Sequence, residues 1–347
     1  MKTIITLILS ITSLISTAQK WDWISTFGDG AVDTPISFGI DNAGNSYFLW
    51  NYHYESCGSC PRFSYILLRK INADRTIAWT DTLAVAAKHI IPDNKGNVYV
   101  VAATEILKLD ANGNEVWRKT DSEAVYFNGT LHMSGDIILT GRHLTNPEAN
   151  KTIMSRFDTN GNRVWVRKGD YFIADHVPHP ITSDNEGNIY FAGGADKVNV
   201  WDTVLSLSKY DANGNVLFAK KILSRYVRHM AVDSDHSIYV SSTYNLIKFD
   251  ANGNTLWVKN FLNYKSYEIP LLAVDSKNNL YLTTIYYKNI AVGNDFSLNC
   301  KYHQVLVAKY DSEGKNLWVL ETKGDQGVAA PHSAFATTND KLIIMGS

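Results

Sequence analysis

Short runs of alternating apolar and polar residues, such as Leu107-Lys108-Leu109, Val116-Trp117-Arg118 and Leu246-Ile247-Lys248-Phe249, recur along the chain. A period of two places one side chain in and the next out, the pattern of a half-buried β-strand. Between the runs stand turn clusters. Asp110-Ala111-Asn112-Gly113-Asn114 returns verbatim at 211–215 and 250–254, with variants at 158–162 and 311–315. Seven residues after each leading Asp comes a large aromatic: Trp117, Trp165, Phe218, Trp257 and Trp318, with a worn copy running from Asn72 to Trp79. Asn-Gly accepts the positive φ of a hairpin turn, so each cluster predicts strand, tight turn, strand. A calcium loop is the competing reading of Asp-x-Asn-Gly-Asn. An EF-hand needs a 12-residue loop closed by a bidentate Glu, whereas these turns re-enter a strand at once, which favours the hairpin.

A second motif alternates with the first: Asp41 to Phe48, Asp93 to Val100, Asp184 to Phe191, Asp233 to Val240 and Asp275 to Leu282, with degenerate copies at Ser134 to Leu139 and Thr338 to Ile344. Each follows a short apolar strand and leads into another. One unit therefore holds four antiparallel strands. Counting Trp23 backward from Trp79, seven aromatic marks recur at spacings of 38 to 61 residues. Repeats of this length with four strands each are the signature of a β-propeller. The expectation is an all-β, seven-bladed β-propeller whose aromatics fill the wedges between blades.

The paired motifs D-x-x-G-N-x-Y-V and L-x-K-x-D-x-N-G-N-x-x-W-x-K resemble the bacterial β-propeller repeat family abbreviated SBBP, over nearly all of the chain after its first residues. That resemblance implies an exported protein, often with a C-terminal sorting domain, and it implies no common activity. The chain departs from the pattern in carrying no such tail.

Residues 1–18 read as a signal peptide: Lys2, an apolar stretch from Ile4 to Ile15, and small residues at Ser16 and Ala18. Residues 19–347 are then the propeller domain, exported to the periplasm, the cell surface or the medium. With 33 Lys+Arg against 34 Asp+Glu and no basic block, the chain lacks the footprint of a nucleic-acid binder. No later apolar run approaches the ~20 residues of a membrane span. A monomer is expected. The C-terminus supplies strands one and two of a last, incomplete blade, closed by an N-terminal strand at Trp23. Its missing third strand marks the chain as a fragment lacking a C-terminal region.

Strand order puts both Gly-Asn motifs on one face and the irregular connections on the other. Those connections carry Tyr52, Tyr54, Tyr171, Trp201, Tyr264, Tyr267, Tyr286 and Tyr287, residue types that supply contact area at low entropy cost. They are the candidate binding residues for a glycan or protein, against the alternative that they pack on one another. In an exported chain Cys57 and Cys60 are expected to form a disulfide. A zinc set of His53, Cys57, Cys60, Cys300 and His303 is disfavoured because its two loops belong to separated blades, so no metal or cofactor is assigned. His89, His179, His229 and His332 open first strands, but their offsets from the following turn differ by one residue, so scattered structural roles are expected. No G-x-S-x-G or H-E-x-x-H occurs. The sequence therefore predicts a non-catalytic binding or surface-display module. A lyase-like, lactonase-like or quinone-dependent enzyme with its site at the channel mouth, or a structural spacer, remains the alternative.

Overall fold

The computed structural model describes residues 34–54, 63–144, 151–172, 180–197, 203–222, 227, 229–242, 245–262, 270–287, 289–299, 304–321, 331–336 and 342–346. All of its regular elements are strands. Blade 1 is β1 (Thr34–Ile40), β2 (Ser46–Tyr54), β3 (Phe63–Ile71) and β4 (Ile77–Leu83), and blade 2 is β5 (His89–Pro92), β6 (Val98–Ala102), β7 (Glu105–Leu109) and β8 (Glu115–Thr120). Blade 3 is β9 (Ala124–Leu131), β10 (Ile137–His143), β11 (Lys151–Phe157) and β12 (Arg163–Phe172). Blade 4 is β13 (Ile181–Ser183), β14 (Ile189–Lys197), β15 (Thr203–Tyr210) and β16 (Val216–Ile222). Blade 5 is β17 (His229–Val232), β18 (Ile238–Ser241), β19 (Asn245–Phe249) and β20 (Thr255–Leu262). Blade 6 is β21 (Leu271–Val274), β22 (Leu280–Tyr286), β25 (Gln304–Tyr310) and β26 (Asn316–Glu321). Its middle connection carries the hairpin β23 (Asn289–Val292) and β24 (Phe296–Asn299), which pairs with β20 of blade 5 through Phe261–Val292 and Leu262–Ala291. Every sheet pairing is antiparallel, as the hairpin turns require.

The expectation of seven blades is corrected: there are six blades of four strands. The last sequence copies form only a two-stranded sheet, β27 (Pro331–Ala336) with β28 (Leu342–Gly346). Adjacent strands lie ~4.8 Å apart, so a fourth strand has nothing to pair with unless a third stands beside β28, and none does among the described residues. The count failed because Trp23 was taken as the mark of a seventh outer strand; it lies outside the described residues. First strands touch in succession from β1 to β21, and β27 touches both β21 and β1, so the ring closes through this sheet.

Five apolar clusters each join two neighbouring blades, as Leu49, Leu68, Ile90 and Val100 do between blades 1 and 2. Two others draw on one blade alone. They are Phe38, Phe48, Trp50 and Ile71 of blade 1, and Tyr281, Ile285, Val305 and Val307 of blade 6, on the faces that border β27–β28. No helix among the described residues is long and apolar enough to cross a membrane.

Candidate functional site

The two faces of the ring differ, and the turns show why. Asp41 opens the first turn of blade 1: its Oδ1 accepts the amide N–H groups of Ala43 (3.0 Å) and Asn45 (2.9 Å), and its Oδ2 accepts Asn45 Nδ2 (2.8 Å) and the Tyr47 hydroxyl (3.1 Å). The same carboxylate turn recurs at Asp93, Asp184, Asp233 and Asp275. It also stands at the outer turns of Asp110, Asp158, Asp211, Asp250 and Asp311. In all but Asp311, whose two donors share Oδ1, both oxygens of these carboxylates face N–H or O–H donors, which a calcium ion would have to displace. The hairpin reading of the motif therefore stands. Hydrogen bonds from Asn114 hold the Asp110 carboxyl below its ordinary range. At Asp184 burial pushes upward, but the bonds from Asn188 and Tyr190 prevail and the net direction is also down.

Each turn is then clamped to its neighbour. The third-strand cation lies over the second-strand Tyr ring, as with Lys70 at 5.4 Å from the Tyr47 centroid and Lys309 at 4.7 Å from that of Tyr281. Lys70 Nζ donates to the carbonyls of Gly96 (3.1 Å) and Ala111 (3.2 Å) in blade 2. Trp79 Nε1 donates to the same Ala111 carbonyl at 2.9 Å, and Trp117 Nε1 to that of Thr159 at 3.0 Å. The following turn presses a glycine on the ring: a Cβ at Gly113 would lie 3.1 Å from Trp79, and one at Gly314 2.9 Å from Trp257. Trp79, Trp117, Trp165 and Trp257 are thus inter-blade packing, as their spacing implied, while Trp318 packs within blade 6, and the turn face is taken up by contacts within the chain.

The opposite face collects the ends of second and fourth strands. Tyr52 is half-buried near the end of β2, against the Phe38–Trp50 cluster, and Tyr287 is half-buried just after β22. These two come from the blades that flank β27–β28. Tyr286 corrects the expectation of a loop aromatic: it is fully buried in β22 and its hydroxyl donates to Glu321 Oε2 at 2.6 Å. Tyr54 lies in β2 and Tyr171 in β12. Trp201, Tyr264, Tyr267, Cys57, Cys60, Cys300 and His303 lie outside the described residues, and with them the disulfide and the disfavoured zinc set.

The inner strands hold the groups nearest to a catalytic arrangement. His89 Nε2 lies 3.1 Å from the Gly129 carbonyl of blade 3, which accepts only, so Nε2 carries the proton. Nδ1 then accepts from Ser37 Oγ of blade 1 at 3.1 Å, a hydroxyl–imidazole pair. Ser37 is only 4% exposed and its oxygen also accepts the Ile90 N–H at 3.2 Å. Burial pushes His89 down to about 4, which leaves it a weak base at neutral pH. The pair laces three inner strands together. His229, four residues before its turn Asp as His89 is, accepts the Leu272 N–H of blade 6 at 3.2 Å. That shared offset was the signal in the sequence; His179 lies outside the described residues. A second group, Asp184, Glu186 and His236, sits on the turn face, where the His236 ring lies between the two carboxylates.

No family model matches the chain, and no curated protein matches it in sequence, so the likeness to SBBP repeats rests on the motifs alone. Among solved structures, the Dos1 propeller is similar at a TM-score of 0.58 and 8% identity, over 91% of this chain and 90% of its own. The WD40 β-propeller domain of Doa1 is similar at 0.55 and 12% identity, over 92% and 91%. A protein of unknown function from Bacteroides caccae is similar at 0.47 and 13% identity, over 74% and 90%. At such identities the likeness reaches the fold and stops there: the chain is a β-propeller.

Proposed function

We propose that the chain is an exported, non-catalytic recognition or surface-display module that holds a glycan or a protein with the irregular connections opposite its Asp turns. The observation that carries this reading is the division of labour between the faces. On one, carboxylates are spent on their own turns, and lysines and Trp rings on the next blade. The other bears the connections that do not repeat, and propeller rims of this kind offer rigid placement for adaptable loops. Tyr52 and Tyr287 in blades 1 and 6, with Trp201, Tyr264 and Tyr267 on the connections, supply the aromatic contact area. The inner hydroxyl–imidazole pair speaks against catalysis at the channel, because both partners are already engaged.

Screening residues 19–347 against a glycan array and a panel of surface proteins tests the reading. Wild-type protein is expected to bind one class, and Tyr287→Ala with Trp201→Ala is expected to weaken it at least tenfold. Ser37→Ala is expected to leave binding unchanged. Turnover of an ester or lactone panel, abolished by Ser37→Ala, would replace this reading with the enzymatic one.

A further inference from the structure

Histidines cross all five junctions between the six blades. His89 reaches Ser37 of blade 1 and Gly129 of blade 3, and His132 Nε2 donates to the Gly187 carbonyl of blade 4 at 3.2 Å. His236 of blade 5 meets Asp184 and Glu186 of blade 4, and His229 meets Leu272 of blade 6. They fall into two electrostatic kinds. His229 Nδ1 accepts a backbone N–H from the next blade, and His132 Nδ1 accepts the Ser134 N–H (3.2 Å) inside the turn that rests on blade 4. A proton on either nitrogen would set donor against donor. His89 and His229 touch no charged side chain among the described residues, so an imidazolium there would be buried without a counter-charge. Facing His132 are Arg156 of β11, Asp136 of its own turn and Asp184 of blade 4. His236 is the opposite kind, since both ring nitrogens face a carboxylate, at 2.9 Å and 3.3 Å.

We propose that acidification unlatches the ring: protonating His89, His229 and His132 breaks or charges the links between blades 1, 2, 3 and 4 and between blades 5 and 6. Burial pushes His89 and His229 down to about 4 in the folded chain, whereas an unfolded His titrates near ~6.5. His132 is lowered as well, by burial and then by Arg156, partly opposed by its bond to the Gly187 carbonyl and by Asp136 and Asp184. Between those values the unfolded chain binds more protons. The contribution to stability is therefore complete above ~6.5 and is lost as the pH falls toward 4. The turn carboxyls of Asp110, Asp158, Asp184, Asp211, Asp250 and Asp275 are held below the ordinary range and stay charged through most of this window.

Thermal unfolding at pH 7.0 and pH 4.5 tests the proposal on wild type and the His89→Gln/His229→Gln pair. Wild type is expected to lose roughly 10 °C in Tm between the two pH values. The pair is expected to lose less than half of that. An equal loss in the pair and wild type would overturn the proposal, as would a wild-type Tm that does not fall. Should the Gln pair not fold, an NMR titration of the wild-type imidazole protons decides: midpoints for His89 and His229 below pH 5 are expected, and midpoints above 6 would refute the latch.

Discussion

Lys309→Met is expected to cost about 3 kcal/mol of folding stability, read as a lower urea midpoint with an unchanged slope. Lys309 Nζ lies 3.0 Å from Asp275 Oδ2 and 2.7 Å from the Tyr281 hydroxyl, and it covers the Tyr281 ring. The Asp275 side chain has no exposed surface, so removing the cation leaves a buried carboxylate served only by neutral donors, its own turn and the Tyr281 hydroxyl at 3.3 Å. Burial alone would raise the Asp275 carboxyl, yet bonds from Asn279 and Lys309 hold it below the usual range, which shows the anion to be the form the site is built for. The second substitution Asp275→Asn should recover part of the loss, because it removes the stranded charge. A single-variant loss below 1 kcal/mol, or a double variant as unstable as the sum of the two, would argue against the clamp.

Gly314→Ala should be nearly as damaging, at about 2 to 4 kcal/mol, and for two separable reasons. Its φ of +80° is a conformation that L residues adopt at a cost of ~1 kcal/mol. The new Cβ would also meet Trp257 Cε2 at 2.9 Å, with ring and backbone both held in place. Gly135 isolates the first reason: its φ is +87°, and the nearest atom to its Cβ position is Thr159 Cγ2 at 3.5 Å. Gly135→Ala is therefore expected to cost only ~1 kcal/mol. Equal losses at the two glycines would mean that the inter-blade ring contact contributes nothing.

Much of this architecture could be read from residue order, because its causes are local. Asp-x-x-Gly-Asn states a turn, the alternation around it states two strands, and the aromatic seven residues on states the wedge it fills. What escaped depends on distant partners. Trp23 carries the local mark of an outer strand, but a strand exists only beside another, and among the described residues no third strand accompanies β28. Asn289–Val292 and Phe296–Asn299 looked like part of a loop because their partner is β20 of the preceding blade, not a sequence neighbour. Tyr286 was placed in that loop, although the unbroken buried run from Leu280 carries β22 through it. His132 stands where other turns have Asp; it makes a worn copy of the motif in sequence but keeps the acceptor role in space. On the connecting face, sequence supplied residue types only, and Tyr52 and Tyr287 are the two whose burial the structure adds.

Mapping a bound ligand by hydroxyl-radical footprinting tests the division between the faces most directly. With the glycan or protein identified by the screen, the account predicts protection of Tyr52, Tyr287 and the connections around Trp201 and Tyr267. The Asp turns and residues such as Lys95 and Asn112 should keep their free-state reactivity. Protection centred on those turns, with the connecting face unchanged, would contradict it.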